Sequence, residues 1–363
     1  MTRYVQRKWL GLAGAALPAG EKPINEAVTA SATRDRVPRV GVVISSFRGG
    51  QEHDGTEIPG LAEPSPPDAH LTGRQLDALV LKAMDLGLLT SRRGRLSEEG
   101  NPSEDWVVIL VRGEDGPPGS GTDPRVVRTV LRSLVQRGRG KRFTIARGSS
   151  KRLDGFSDEW RRLAGDMRSM APGTRFELID LNDDEWIEAP TFDRCFASRN
   201  PTGVYAIART IRECDSVVSV APLATDPLTG VALAASNFWG IAPGAFYGYP
   251  KDKLLDLGAP EEILLDLFLH RPSRFNVLSG TTAVEGEGDT PLRHNVILAG
   301  ASTTAVDSVG AAVMGFDPEK LPLLGLFEKR GQGIRDIYSI WTRGSDVGEV
   351  VRKFRRPARW EVS

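Results

Sequence analysis

The sequence predicts an α/β protein, with two closely associated parts and mostly parallel, Rossmann-like sheets. Short apolar, β-branched runs alternate with segments of helical periodicity along most of the chain, and this alternation is typical of βαβ units. The clearest unit is residues 106–146, where the run WVVILV, a capped helix and the run FTIA follow one another. A helix crossover of this kind joins parallel strands.

The helix of that unit carries its own start and stop signals. Thr122 or Asp123 can cap its first turn, Pro124 suits that turn, and Gly138 follows the last turn. Apolar residues between these signals recur at helical spacing and predict a buried stripe. They are Val126, Val127, Val130, Leu131, Leu134 and Val135.

The same two patterns predict the remaining elements. The other strands are predicted at residues 40–46, 176–181, 216–221, 275–278 and 295–299. The other helices are predicted at residues 71–89, 157–170, 204–213, 230–239, 261–269 and 303–314. Residues 49–70 are rich in Gly, Pro and acidic side chains, so they predict a long loop.

The chain divides into four predicted segments. Residues 1–38 form an N-terminal arm or a degenerate export signal, 39–200 a first α/β part, 201–345 a second, and 346–363 a basic tail expected to be solvated. In the first segment, RKWLGLAGAALPAG places Arg and Lys before a short apolar run, which is similar to a weakened twin-arginine leader. The location therefore stays open between the cytoplasm and export to the periplasm.

Composition excludes several classes of function. The chain has 47 Lys and Arg residues and 47 Asp and Glu residues, so it has no net charge that would attract nucleic acid. The sequence contains no run of 18 apolar residues, so it predicts no membrane span. Cys195 and Cys214 are the only cysteines and the histidines have no zinc spacing, so the sequence contains no zinc or iron–sulfur motif and the cofactor is unknown. The two cysteines are predicted to be buried free thiols, with one disulfide as the alternative.

Two loops after predicted strands could bind a ligand. The Gly-rich residues 113–121 lead to the helix at Asp123, whose N-terminus could hold an anion, although a flexible crossover loop explains them as well. In the second loop, Asn237 lies among small residues that would let a ligand or another backbone come close. Thr225 and Asp226 in that loop can bond a ligand or form a turn.

Two acidic positions near the C-terminal end suggest catalysis. Glu285 belongs to a Gly-rich acidic loop, and Asp307 shares a helix face with Gly310 and Ala311. In one interpretation, Asp307 hydrogen-bonds this loop and fixes the helix. In the other, it shares a metal with Glu285 or the two act as acid and base.

The order of five motifs resembles the domain-of-unknown-function family 362 (DUF362). These motifs are TDPRVVRTVLRSL, ALAASNFWGIAP, FNVLSG, AVEGEG and TTAVDSVGAAVMGFDP. The resemblance implies a two-part α/β protein, sometimes exported or fused to ferredoxin-like modules, with a largely undefined activity. More distantly, the layout is similar to that of the nickel-pincer lactate racemase apoproteins, which have their site between two α/β domains.

The chain departs from that family at several charged positions. Members carry Lys-Pro-Asn after the strand at residues 106–111, where the nearest cation here is Arg112. They also carry lysines and a histidine where this chain reads PLATD, and Asp-Gly where it has Ser279-Gly280. The motif residues that this chain keeps are Asn237, Glu285, Gly286, Asp307, Gly315, Asp317 and Pro318.

Together these patterns predict a ligand cleft where residues 113–121, 225–240 and 285–288 converge. Its predicted catalytic residues are Glu285 and Asp307, and its metal ligands are unknown. Its predicted ligand-binding residues are Arg112, Asp123, Thr225, Asp226, Asn237 and Gly286. The predicted function is to bind a small anionic or metal-linked ligand, with enzymatic activity left open. The alternative is a non-catalytic binding or assembly component, and a redox or assembly partner is also left open.

Overall fold

A computed structural model describes residues 37–52, 55–87, 105–113, 116–117, 120–191 and 195–361. The predicted export signal lies outside the described residues. From Pro38 onward the chain forms one unit. No helix in the described ranges is long and apolar enough to cross a membrane.

The strands and helices follow one another along most of the chain. The strands are β1 (Arg39–Ile44), β2 (Gly49–Gln51), β3 (Glu57–Pro59), β4 (Trp106–Val111), β5 (Arg142–Arg147), β6 (Arg175–Asp180), β7 (Trp186–Pro190), β8 (Val204–Ala208), β9 (Ser216–Asp226), β10 (Gly230–Ala232), β11 (Phe275–Glu285), β12 (Thr290–Leu292), β13 (Val296–Gly300) and β14 (Trp341–Gly344). The α-helices are α1 (Gly73–Leu86), α2 (Pro124–Gln136), α3 (Asp158–Met170), α4 (Arg209–Glu213), α5 (Gly244–Tyr247), α6 (Asp252–Leu255), α7 (Pro260–His270), α8 (Thr303–Val313), α9 (Pro322–Lys329) and α10 (Val347–Val350).

One large sheet organises the described chain and confirms the predicted α/β class. Its strand order is β14-β1-β13-β11-β9-β4-β5-β6, with β10 and β12 paired to β9 and β11. The neighbours from β11 to β6 are parallel, whereas β13 is antiparallel to both strands beside it. Strands from both predicted parts belong to this sheet, and the division at residue 200 stays a prediction.

The order of the strands creates a switch point between β4 and β9. The chain leaves β4 through α2 and returns as β5 on one side, whereas β9 lies on the other side and is followed outward by β11. At such a point the two crossovers diverge and leave a crevice at the carboxyl ends of the strands.

Both faces of the sheet are covered, as the continuous apolar runs predict. Along β4, Val107, Ile109 and Val111 belong to one buried core together with residues of α1, α2 and α3. Val108 and Leu110 alternate with them and belong to a second core with residues of α7 and α9. The helix after β4 has the predicted caps, because the side chain of Asp123 accepts from the N–H of Arg125 and Pro124 occupies the first turn.

Two predicted helices are wrong in part. Residues 204–208 form strand β8, which pairs with β7, and only the following residues form the short helix α4. Residues 230–232 form β10, which pairs back onto β9, and a 3₁₀ helix follows at Ala235–Ile241. The apolar residues of both segments have a spacing that suits a helix. Pairing with a neighbouring strand nevertheless determines the backbone conformation.

Three further expectations change. The predicted loop at residues 49–70 contains the hairpin of β2 and β3. The predicted solvated tail instead packs on the protein: Phe354 is buried and its N–H donates to the carbonyl of Met314. Both cysteines are free, which removes the disulfide alternative; Cys214 is buried and Cys195 is half-buried.

Candidate functional site

A cavity of about 140 Å³ lies at the carboxyl ends of β4, β5 and β9. Arg112 and Gly113 follow β4, Gly148 and Ser150 follow β5, and Asp226 ends β9. This is the crevice at the switch point of the sheet, where ligands of open α/β sheets bind.

The 3₁₀ helix Ala235–Ile241 closes one side of the cavity. It contributes Ser236, Asn237, Trp239 and Gly240 to the lining. The backbones of Gly148 and Gly240 are in close contact: a Cβ added to Gly148 would lie 2.0 Å from the carbonyl oxygen of Gly240. Glycine at this position therefore lets the helix approach the end of β5.

Asn237 ties that helix to the ends of two strands. Its Nδ2 lies 3.2 Å from the carbonyl oxygen of Leu110 in β4 and 3.1 Å from that of Val220 in β9. Ser219 Oγ is 3.0 Å from the same nitrogen. The side chain is buried, and an unpaired buried carbonyl is costly. Since Nδ2 donates its hydrogen bonds within the protein, the amide oxygen is the atom of Asn237 that can accept from a ligand.

Ser236 also belongs to the lining of the cavity. Its Oγ is buried and has no hydrogen-bond partner within the described part of the chain. A buried hydroxyl without a partner is uncommon in folded proteins.

Among the described residues, one positive and one negative side chain line the cavity. Arg112 is held in place by its backbone, because its N–H donates to Thr122 Oγ1 at 2.9 Å and its carbonyl accepts from the N–H of Thr122. Asp226 forms a turn with one oxygen only: Oδ1 accepts from the N–H groups of Leu228 and Thr229 at 2.9 and 2.8 Å. Oδ1 of Asp226 therefore forms the predicted turn. The residue also lines the cavity.

Asp307 lies in α8 and fixes the segment that leads into the 3₁₀ helix. Its two carboxylate oxygens accept from the N–H groups of Ala234 and Ala235, each at 2.9 Å. Burial raises the pKa of this carboxyl to about 7, although the two N–H donors act in the opposite direction. These contacts join Asp307 to the segment before the 3₁₀ helix and not to the loop of Glu285.

Glu285 and its loop contact the C-terminal segment. Glu285 Oε2 accepts from the N–H of Arg355 at 2.9 Å, and the N–H of Gly286 donates to the carbonyl of Arg355. Glu287 Oε1 accepts from the N–H of Ala358 at 2.8 Å. The C-terminal segment therefore holds the turn between β11 and β12.

The three predicted loops do come together. Thr225 Oγ1 donates to the carbonyl of Gly286 at 2.8 Å, and a Cβ on Gly288 would lie 3.1 Å from the carbonyl oxygen of Thr225. A Cβ on Gly116 would lie 3.8 Å from the carbonyl oxygen of Gly288. Asp123, beside these loops, caps α2, pairs with Arg125 at 2.8 Å and accepts from Thr281 Oγ1.

The cavity gathers some of the predicted site residues and leaves others outside its lining. Arg112, Asp226 and Asn237 line it. Glu285, Asp307, Asp123, Thr225 and Gly286 do not. The prediction did not include Gly148 or Ser150, which follow β5 directly, so the rule on strand carboxyl ends could have found them. Ser236 and Trp239 lie in the predicted segment 225–240 but were not among the predicted site residues.

The described ranges hold no group of three or more His, Cys, Asp and Glu side chains that could bind a metal ion. Glu285 and Asp307 bond to different segments of the backbone. Their roles as catalytic residues or metal ligands stay predictions.

Comparison with known proteins finds one family and distant structural similarity. The family described as "Domain of unknown function (DUF362)" matches residues 108–312. The lactate racemase apoprotein from Thermoanaerobacterium thermosaccharolyticum is 16% identical with a TM-score of 0.40, covering 66% of this chain and 55% of that one. A crystal structure of a Thermotoga maritima protein is 12% identical with a TM-score of 0.33, covering 62% and 54%. The chain thus spans about half the length of these solved structures. No curated protein matches it.

Proposed function

Since the chain belongs to the DUF362 family, whose description carries no activity, we propose from its cavity that it binds a small organic acid, with Arg112 as the partner of the carboxylate. The observation that carries this proposal is the placement of an arginine in the lining of a cavity at the switch point of the sheet. Every residue that lines the cavity falls within the part of the chain that matches the family.

The chemistry of the lining favours a carboxylate. A guanidinium presents donors in a planar fork that matches the two oxygens of a carboxylate. Only a small acid suits the site, because a volume of about 140 Å³ is below the range typical of drug-sized ligands.

A second candidate, a non-catalytic binding or assembly component, is favoured by a different observation. Asp307 and Glu285 accept hydrogen bonds from the backbone and do not line the cavity. In this case the acid would bind without being converted. The acid could also bind together with a metal ion. Adding divalent cations with the acid tests this form of the proposal.

Thermal unfolding with added acids tests the proposal. Propionate, lactate and pyruvate are the probes, phosphate tests another anion, and propionamide tests an uncharged analogue. Ligand at ten times its dissociation constant stabilises by about 1.4 kcal/mol, or a rise of about 2–4 °C in Tm. We expect this rise for the wild type with at least one acid, and we expect Arg112→Met to remove it.

Arg139→Met is the matched control. Arg139 is half-buried like Arg112 but lies between α2 and β5, at the opposite edge of the sheet. The control should keep the full response to the acid. The proposal is wrong if no acid shifts Tm, or if both variants lose the shift equally. Conversion of the acid, followed by NMR, would exclude the non-catalytic candidate.

A further inference from the structure

We infer that the acid bound in the cavity is an apolar α-amino acid, with its carboxylate on Arg112 and its ammonium group on Asp226. This inference rests on the proposed function and names the class of ligand for the same cavity. Three properties of the lining carry it: the pair of opposite charges, the number of hydrogen-bond acceptors, and the apolar wall.

The charges of the lining favour a zwitterion over a simple anion. Arg112 and Asp226 are the charged side chains among the described residues that line the cavity. A ligand with only a negative charge would gain attraction from Arg112 and meet repulsion from the half-buried Asp226. A zwitterion places an opposite charge beside each side chain. The second oxygen of Asp226 is suited to this contact, since the turn uses Oδ1.

The acceptors of the lining favour an ammonium group over a hydroxyl group. An ammonium group carries three N–H donors, whereas the hydroxyl of a 2-hydroxy acid carries one. Asp226 offers a carboxylate oxygen, and Asn237 can offer its amide oxygen because its nitrogen donates to the strands.

The rest of the lining favours an apolar side chain on the ligand. Leu228, Trp239, Pro260 and Leu264 contribute an apolar wall to the cavity. Burying an aliphatic side chain against such a wall contributes to affinity in proportion to the apolar area removed from water. Among the described residues of the lining, a charged side chain on the ligand would meet no opposite charge beyond Arg112 and Asp226.

Calorimetric titration with three matched ligands tests the inference. The ligands are L-leucine, 2-hydroxy-4-methylpentanoate and 3-methylbutylamine, which share an isobutyl group and differ in their polar groups. We expect wild-type protein to bind leucine about tenfold more tightly than the hydroxy acid, which equals about 1.4 kcal/mol. The amine should bind more weakly than leucine because it lacks the partner of Arg112.

Asp226→Asn isolates the charge. Asparagine keeps the Oδ1 acceptor that forms the turn, so the variant should fold, and it should lose the preference for leucine over the hydroxy acid. Asp336→Asn is the control, because Asp336 accepts from the N–H of Tyr338 in a similar turn outside the cavity. This control should keep the preference.

The outcomes separate the inference from the proposal on which it rests. Equal affinity for leucine and the hydroxy acid in the wild type overturns the amino-acid inference and leaves the binding of an organic acid intact. A preference that survives Asp226→Asn also overturns the inference. Absence of binding by all three ligands, together with no shift from the small acids above, overturns both.

Discussion

Replacing Asp307 by Asn should change how the stability of the protein depends on pH. Burial raises the pKa of this carboxyl to about 7 in the folded protein, against an ordinary value of about 3.9 in an unfolded chain. The folded state therefore binds the proton more tightly than the unfolded state. The resulting stabilisation is fully present below the unfolded pKa and is lost as pH rises through about 7.

The size of the effect follows from the two pKa values. One unit of difference corresponds to about 1.4 kcal/mol, so the full effect is about 4 kcal/mol. Between pH 5 and pH 8, the free energy of unfolding of the wild type should fall by about 2.5 kcal/mol relative to the Asn variant. The variant itself should be less stable at pH 5, because an amide cannot accept both N–H bonds from Ala234 and Ala235.

Urea unfolding of both proteins at pH 5, 6, 7 and 8 measures this difference, and the other titrating groups cancel in the comparison. Ser308→Ala is the matched control: this buried neighbour lies on the same helix and carries no titrating group, so its effect on the unfolding free energy should not vary with pH. A difference between wild type and the Asp307 variant that is constant, or that grows as pH rises, would refute the reasoning. A constant difference would mean that the two N–H donors offset burial, and a growing one that they outweigh it.

Three other substitutions test separate parts of the structure. Burial lowers the pKa of His270 to about 4, so the unfolded chain binds the proton more tightly than the folded protein does. The free energy of unfolding of the wild type should therefore fall by about 3 kcal/mol between pH 7 and pH 4. In urea unfolding, His270→Phe should remove most of this fall. Gly148→Ala would place a Cβ 2.0 Å from the carbonyl oxygen of Gly240, so it should cost about 1–3 kcal/mol of unfolding free energy and abolish ligand binding. Phe354→Ala empties a buried position in the C-terminal segment; it should cost about 3 kcal/mol and speed hydrogen exchange at the amide of Gly286.

Each of these has its own control or contradictory outcome. An unchanged pH dependence in the His270 variant would show that this ring does not set the acid limit. Gly165→Ala lies in α3 with nothing within 4 Å of the added Cβ, and it should be neutral or stabilising; equal damage at Gly148 and Gly165 would contradict the close-contact argument. Tyr338→Ala removes a side chain that is 94% exposed and should leave the exchange at Gly286 unchanged.

Local sequence signals accounted for the central elements of the fold. The run at Trp106–Val111 and the capped helix Pro124–Gln136 lie where their patterns predict them, because a buried strand and a capped helix are encoded by neighbouring residues. The same signals placed Arg112, Asp226 and Asn237 near strand ends, and the structure brings these three residues to one cavity.

Contacts between segments that are distant in the sequence could not be predicted from local patterns. The pairing of residues 204–208 with β7 decided against a helix, and the contacts of Phe354 with Met314 decided against a solvated tail. The 3₁₀ helix could approach β5 only because two glycines, Gly148 and Gly240, meet there from separate parts of the chain.

The sequence by itself determined the α/β class, the family and the loops from which a ligand site could be built. The tertiary structure decided which residues of those loops share a cavity. Asp307 illustrates the difference: its helix face was predictable, but its two N–H donors lie 72 and 73 residues away in the chain. Periodicity reports how a segment faces its surroundings, whereas the partner of a buried carboxylate depends on packing between segments that local patterns do not relate.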